Sequence, residues 1–433
     1  MSGLVDDLCG KIDGKKANIG IIGMGYVGIP LGLEFAKRGF PVTGFDKDKD
    51  RVNEINSGKQ VMKHISKEAM KNFVDNNGSA TTEFSVIGDM DCLIICVPTP
   101  LDEHEQPDMS YVERASSTIG RHLKKGQLVV LESTTYPGTT REIVKPILEK
   151  AKLEAGKDFF LAYSPEREDP GNKEFSVSKI PKVMGGFTSD CLKVTSALYK
   201  NIVSETVEVS SMETAEATKL MENIFRAVNI AMVNELKLVL DRMGVNIWEV
   251  IDAAKTKPFG FMPFYPGPGM GGHCIPIDPF YLSWKAKEYN SEAKFIELAG
   301  EINRKMSENI AHRIGRALNE DKKSIRGSYI MMVGVAYKKD IDDVRESPAL
   351  RIMEILEHKG AKICYHDSYV KKVGSLKNTD ITKKNIEKQD LVLITTDHTD
   401  VDYNLLAKHA KLIVDTRNRM ATVKKPKARI IRA

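Results

Sequence analysis

The sequence predicts an α/β fold of two doubly wound domains joined by a helical connector with a long central helix. Three observations predict it. From Ala17 to Asp46 the chain reads as apolar strand, glycine-rich turn, helix and second strand ending in an acid, the repeating unit of a parallel sheet with crossover helices. The same pattern returns at Tyr329. Between them, Met212 to Met243 contains neither proline nor glycine, which is the composition of one long helix. A chain of 433 residues, at ~150 per domain, accommodates this arrangement.

Taken in order, residues 1–16 read as an N-terminal tail. The opening Met-Ser-Gly-Leu-Val-Asp-Asp has two acids and no apolar core, so it reads as neither secretory signal nor transit peptide. Residues 17–205 form the first domain, with strands at Ile19 to Ile22, Cys92 to Val97, Leu128 to Glu132, Phe159 to Tyr163 and Val183 to Gly185, each a short apolar run typical of a strand buried on both faces. Residues 206–320 form the helical connector: Met212 to Met243, Asn246 to Ala254, and Glu292 to Asn319. Inside it, Thr256 to His273 holds five glycines, four prolines and four aromatics in 18 residues, and a loop this long in a compact domain is usually functional. Residues 321–433 form the second doubly wound domain, with strands at Tyr329 to Val335, Lys362 to Tyr365, Leu391 to Thr395 and Leu412 to Asp415, and a helix from Pro348 to Lys359. The basic run Lys424 to Arg432 reads as a solvated end, with an anion-binding segment as the alternative.

Composition narrows the function. Lys+Arg 64 against Asp+Glu 59 gives a formal charge of +5, too small and too dispersed for a nucleic-acid footprint, while an anionic small molecule remains compatible. The most membrane-like stretch, Ile19 to Leu33, spans 15 residues with five glycines, short of the ~20 apolar residues of a spanning helix, so the reading is a cytoplasmic protein. Cys92 and Cys96 lie on one strand, which separates them by ~13 Å, whereas a disulfide needs Cα atoms within ~7 Å. They read as core. The nine histidines show no metal-ligand spacing, so no metal is expected.

Gly23-Met24-Gly25-Tyr26-Val27-Gly28 follows a strand and opens a helix, and Asp46 ends the next strand 18 residues on. That context is the Rossmann dinucleotide fingerprint: Gly23 for the turn, Gly25 for close approach of the pyrophosphate, Gly28 for helix packing. Asp46 accepts ribose hydroxyls and repels a 2′-phosphate, which favours NAD over NADP. In the second domain Gly334-Val335-Ala336-Tyr337 lacks the triple glycine, so that domain takes another nucleotide-like ligand or closes over the first site.

For chemistry, Cys274 ends the glycine-rich loop at Gly271-Gly272-His273-Cys274-Ile275-Pro276-Ile277-Asp278. A thiolate there suits covalent aldehyde oxidation beside a nicotinamide, and an inert buried thiol is the other reading of the loop alone. Lys219 and Asn223 share a helix face about 6 Å apart, a cation and an amide suited to an oxyanion or simply a solvated polar face. Tyr163-Ser164-Pro165-Glu166-Arg167-Glu168 places carboxylates at a strand end, where Glu166 reads as activator of a hydrolytic water or as a turn carboxylate.

Together these motifs resemble the UDP-glucose/GDP-mannose dehydrogenase family. The resemblance runs from about residue 17 to 420 and rests on the glycine turn, Val97-Pro98-Thr99-Pro100, Glu132-Ser133-Thr134-Thr135-Tyr136-Pro137-Gly138-Thr139-Thr140, Ser164 to Gly171, Lys219 to Asn223, Gly271 to Pro279, and Tyr337-Lys338-Lys339-Asp340 with Arg345-Glu346-Ser347-Pro348. It implies Cys274 as nucleophile, Lys219, Asn223 and Asp278 handling protons, water and oxyanion, and Thr134 and Glu166 assisting. It implies NAD contacts from Gly23, Gly25, Tyr26, Val27, Gly28, Asp46, Arg51, Thr99, Thr134 and Arg345. Substrate contacts are implied at Glu166, Arg167, Lys219, Asn223, Gly271, Tyr337 and Lys338, with UDP on the C-terminal domain and a homodimer or higher oligomer built on the middle helix. The implied reaction is four-electron oxidation of the C6 alcohol of UDP-N-acetylglucosamine, a precursor for surface polysaccharide. UDP-N-acetylmannosamine and UDP-glucose are the alternative sugars. A two-electron NAD dehydrogenase with Lys219 as base, or an NAD-sensing scaffold, are the readings outside the family. The chain departs from the UDP-glucose branch at Gly271 to Pro276 and at Pro165-Glu166-Arg167-Glu168, and its Phe259 to Pro268 loop and Ser164-Pro165-Glu166-Arg167 run look like the N-acetylhexosamine branch.

Overall fold

The structure, a computed structural model, describes residues 2–62, 65–102, 104, 106–168, 177–272 and 275–433. Its helices are α1 (Ser2–Asp13), α2 (Gly28–Lys37), α3 (Lys49–Asn56), α4 (Lys67–Asp75), α5 (Ser110–His122), α6 (Lys145–Glu149), α7 (Ser189–Tyr199), α8 (Met212–Arg242), α9 (Ile247–Ala254), α10 (Asp278–Glu288), α11 (Lys294–Glu320), α12 (Pro348–His358), α13 (Lys383–Glu387) and α14 (Tyr403–His409). The chain divides into two compact units, residues 1–222 with 284–291, and residues 223–283 with 292–433. Residues 206–320 are therefore shared between the units, the division falling within α8.

In the first unit one sheet holds β1 (Ile19–Ile22), β2 (Val42–Phe45), β3 (Gly78–Thr81), β4 (Cys92–Ile95), β5 (Leu128–Leu131), β6 (Phe160–Tyr163), β7 (Lys182–Gly186) and β8 (Thr206–Glu208). Their order is β3-β2-β1-β4-β5-β6-β7-β8. All neighbours are parallel except β6 and β7, where Ala162 pairs with Gly186. Strands β1, β4, β5 and β6 are buried along their whole length, as their unbroken apolar sequence requires between two helical layers. Strand order reverses between β1 and β4, and the crevice beyond the carboxyl ends of these strands is where open sheets bind ligands. Gly23, Thr99, Thr134 and Glu166 all lie just past such ends.

The second unit repeats the plan. Strands β9 (Tyr329–Val333), β10 (Lys362–His366), β13 (Leu391–Ile394), β14 (Leu412–Asp415) and β15 (Arg429–Arg432) form a parallel sheet in the order β10-β9-β13-β14-β15, and β11 (Lys372–Val373) and β12 (Leu376–Lys377) make a small hairpin. Here β9 corresponds to β1, and Gly334, at φ 82°, to Gly23, at φ 99°.

Two sequence expectations are corrected. Residues 1–16 are not a tail: α1 buries Val5, Leu8 and Ile12, which fall on one helical face, in the same core as α7. Each such side chain stabilises the fold by roughly 1.5–3 kcal/mol. The basic run Lys424 to Arg432 is not a solvated end, because its last four residues are the edge strand β15, paired with β14. Arg429 there is tied to Asp321 at 2.7 Å and to Glu320. Cys92, which opens β4, and Cys96, which follows its end, are free and buried.

Candidate active site

The glycine turn fits a dinucleotide. A Cβ on Gly23 would lie 2.6 Å from the Cys96 carbonyl, and one on Gly28 2.0 Å from the Gly23 carbonyl, so both positions demand glycine for the chain's own packing. Gly25 differs, since a Cβ there meets nothing within 4 Å. That open space is what a close-approaching pyrophosphate needs. No side-chain cap covers the start of α2 beyond Val27, and an anion is favoured at such a helix end. Asp46 accepts from the Met24 N–H at 3.1 Å and Arg51 donates to the Met24 carbonyl at 3.1 Å, so the two residues hold the turn from its two sides. Tyr26 is 38% exposed beside it. Thr99 Oγ1 donates to the Thr134 carbonyl at 2.8 Å, joining the ends of β4 and β5. The contrast between the glycines gives a test: Gly25→Ala is expected to keep the melting temperature of the parent while raising the KM for NAD+ about tenfold or more, a loss of ~1.4 kcal/mol per decade.

At the end of β6, Glu166 lies 3.6 Å through Oε2 from Lys219 Nζ, a lysine only 4% exposed at its side chain. The strand end is held from below by a buried group that the sequence reading did not single out. Lys182 Nζ donates to Glu132 Oε2 at 2.8 Å and to the Pro165 carbonyl at 3.2 Å, and the Tyr199 hydroxyl donates to Glu132 Oε1. Fifty residues separate Glu132 from Lys182, so no local spacing reveals the pair. Glu168 is the other missed residue. Burial, with Glu166 beside it, pushes its carboxyl up to about 8, Lys182 opposing. A cavity of about 30 Å³, room for one water, is lined by Glu132, Glu166, Glu168 and Lys182 and by Val27 and Leu31. Arg167 was expected at substrate. Here its Nε donates to Glu222 at 2.9 Å and its Nη1 to the Pro181 carbonyl at 2.6 Å, so the guanidinium staples the strand end to α8.

α8 buries polar side chains among apolar ones: Glu216, Lys219, Asn223, Asn234 and Lys237 are all under 4% exposed, at spacings that return to one face, beside Ala215, Leu220 and Ala231. Lys219 and Asn223 are thus not a solvated face. Its exposed residues include Met221, Phe225, Met232, Leu236 and Val239. In the second unit Asn223 Nδ2 donates to Asp278 Oδ2 at 2.6 Å, and Arg226 donates to Asn223 Oδ1. The amide is thereby oriented, with Asp278 taking one of its two N–H groups. Asp278 opens α10 and is 2% exposed. Cys274 itself, with His273, lies outside the described residues, as do Asp169, Pro170 and Gly171 of the carboxylate motif.

The glycine/proline loop leading to Cys274 is anchored by residues that sequence reasoning passed over. Asn234 Oδ1 accepts from the Gly267 N–H at 2.9 Å, its Nδ2 donates to Asn303 at 2.8 Å, and Ser307 donates to the Pro268 carbonyl at 3.2 Å. Gly271 and Gly272 press on Tyr337: a Cβ on either would come within 2.8 Å of that side chain, and Gly272 has φ 93°. Its N–H donates to the Arg345 carbonyl at 3.1 Å, while the Arg345 guanidinium forks onto Asp343 at 3.0 and 2.6 Å. Lys338 follows Tyr337 on the same loop past β9. In this unit the amides after Gly334 are already occupied. Asp367, ending β10 where Asp46 ends β2, accepts from Val335 and Ala336 at 2.7 and 3.0 Å and from His398 at 3.0 Å. Burial alone would raise Asp367; the His398 hydrogen bond and the two amides instead hold it down to about 2. Asp367 thus takes at this turn the place that Asp46 takes at the first, each accepting from the N–H that follows the turn's first glycine. Among the described residues no cluster of His, Cys, Asp and Glu forms a metal site, and no helix is long and apolar enough to cross a membrane.

Fold and cradle together define a nicotinamide-dependent oxidoreductase. Family models match along nearly the whole chain: the NAD binding domain of the UDP-glucose/GDP-mannose dehydrogenase family over residues 17–203, its central domain over 213–305 and its UDP binding domain over 331–422. The chain belongs to the UDP-glucose/GDP-mannose dehydrogenase family, and its cofactor is NAD. It is 36% identical over 370 residues to a UDP-N-acetyl-D-glucosamine 6-dehydrogenase of Pseudomonas aeruginosa, covering 85% of this chain and 86% of that protein. Among solved structures it resembles a UDP-D-ManNAc dehydrogenase of Pyrococcus horikoshii at TM-score 0.87 and 33% identity, covering 96% of this chain and 99% of that one. An NDP-N-acetyl-D-galactosaminuronic acid dehydrogenase of Methanosarcina mazei aligns at TM-score 0.80 and 29% identity, over 96% and 94% of the two chains.

Proposed function

We propose that the protein oxidises the C6 alcohol of UDP-N-acetylglucosamine to the uronic acid, in the cytoplasm, as a step toward a surface polysaccharide. NAD+ supplies the hydride acceptor for both oxidations. Asp278 and Lys219, through a water, take the proton of the C6 hydroxyl. Cys274 adds to the aldehyde, and Lys219 and Asn223 stabilise the oxyanion of that adduct. A water activated by Glu166 then cleaves the thioester, with Thr134 assisting. The observation that carries the reading is the buried Lys219 beside the Glu166 carboxylate: a cation under 5% exposed is costly to keep there, and a developing oxyanion gives it a use. Arg345 completes the NAD contacts, and Gly271, Tyr337 and Lys338 the substrate contacts. The exposed apolar stripe of α8 supports a homodimer, since a face of that size is unusual on a monomer.

The Ser164-Pro165-Glu166-Arg167 run supports an N-acetylhexosamine, and the similarity to the Pseudomonas enzyme supports N-acetylglucosamine as the sugar. The likeness to the Pyrococcus structure supports N-acetylmannosamine as the second reading. One epimeric contact changes binding by ~1–3 kcal/mol, so kcat/KM measured side by side for the two UDP-N-acetylhexosamines and UDP-glucose decides. We expect UDP-N-acetylglucosamine to lead by about tenfold or more; a lead for either other sugar overturns the assignment.

A further inference from the structure

Glu216, the first member of the buried stripe on α8, has no part in the chemistry above, yet it is fully buried. Its partners are two amides and a hydroxyl. Oε2 accepts from the Gly138 N–H at 2.6 Å, and Oε1 accepts from the Thr140 N–H at 2.9 Å and from Thr140 Oγ1 at 2.7 Å. These donors close the run that begins at Glu132 and carries Thr134, just before the helical turn Thr140–Val144. Lys219 stands three residues further along α8, on the same face. A single carboxylate therefore ties the loop of Thr134 to the helix of Lys219. Only its ionised form presents both oxygens as acceptors, so a proton on either one leaves an amide donor facing an O–H. The charged groups around it are Glu213 on α8 and Arg141 on the following turn, and these pair with each other at 2.5 Å.

We propose that Glu216 is a positioning residue: ionised, it fixes the Thr134 loop against the Lys219 helix in the working geometry, and protonated, it releases the two. The proposal rests on the reading that Lys219 and Thr134 act on the substrate. Burial pushes this carboxyl up to about 7, against the hydrogen bonds from Thr140 and Gly138 that lower it, which places the release within the working pH range.

The test is kcat and KM against pH from 5.5 to 9, with UDP-N-acetylhexosamine and NAD+, for the parent, Glu216→Gln and Thr140→Val. The parent kcat is expected to rise to a plateau through an inflection near pH 7. Glu216→Gln is expected to lose about tenfold to a hundredfold in kcat, the scale of a small misplacement, with no inflection there. Thr140→Val, which removes one donor to the carboxylate, moves the inflection to higher pH; it serves alone should Glu216→Gln not fold. An inflection near pH 7 that survives in Glu216→Gln, or stays in place in Thr140→Val, overturns the proposal. If the parent oxidises no UDP-sugar, the fault lies with the proposed function, and the positioning is read instead from modification of Lys219 by an amine reagent, followed by mass spectrometry. Labelling in Glu216→Gln should then exceed the parent severalfold at pH 8 and match it at pH 6; equal labelling at both overturns it.

Discussion

Replacing Cys274 by serine is expected to lower uronic acid formation by at least about a thousandfold, the scale seen when a catalytic nucleophile is removed. An aldehyde has no hydride to give until an added nucleophile makes its carbon tetrahedral, and a thiolate does this at neutral pH where a serine hydroxyl does not. No other thiol is suited to the task. Burial raises the pKa of Cys9, Cys92, Cys96 and Cys364, and Cys191 lies in the core of the first unit. The check is acid product by chromatography beside NADH by absorbance. Normal acid formation by Cys274→Ser would remove the covalent route from the account.

The second large effect is on stability. Lys182→Met leaves Glu132, 1% exposed at its side chain, without its cation, and breaking one side of a buried pair typically costs ~3–5 kcal/mol. At roughly 2–4 °C per kcal/mol for a unit of this size, the melting temperature should fall by about 6–20 °C. Replacing both partners, Lys182→Met with Glu132→Gln, should recover part of that loss because no uncompensated charge remains. A thermal scan at pH 7 distinguishes these outcomes, and a double variant less stable than Lys182→Met alone would contradict the pairing. Lys182 also holds the Pro165 carbonyl, so the single variant should lose activity at temperatures where it remains folded.

What was legible in the chain follows from how local each signal is. The buried strands β1, β4, β5, β9, β13 and β14 announce themselves as short apolar runs, and the glycine turn is readable because each glycine meets a steric demand within a few residues or one neighbouring strand. β3, Gly-Ser-Ala-Thr, carries no such pattern; only pairing with β2 makes it a strand. In α1 the three acids Asp6, Asp7 and Asp13 mask the face formed by Val5, Leu8 and Ile12. β15 was read by its charge, although Ile430 and Ile431 between two arginines suit an edge strand whose flanks stay wet. In the site, the spacing of Lys219 and Asn223 was visible, but whether that face is buried depends on what packs against α8. Glu132 with Lys182, Asn234 with Asn303, and Glu216 with Thr140 are partnerships across 50 or more residues, beyond the reach of any local pattern. Arg167 is held by Glu222, 55 residues on, a partner that its own motif does not show.

The central claim is a four-electron oxidation through an enzyme-bound thioester, and the stoichiometry of the reaction tests it most directly. With purified protein, excess NAD+ and a limiting amount of UDP-N-acetylglucosamine, the account predicts two NADH formed for each sugar nucleotide consumed, with the uronic acid as product. One NADH per sugar, with aldehyde accumulating, would contradict it and leave Cys274 without its proposed role.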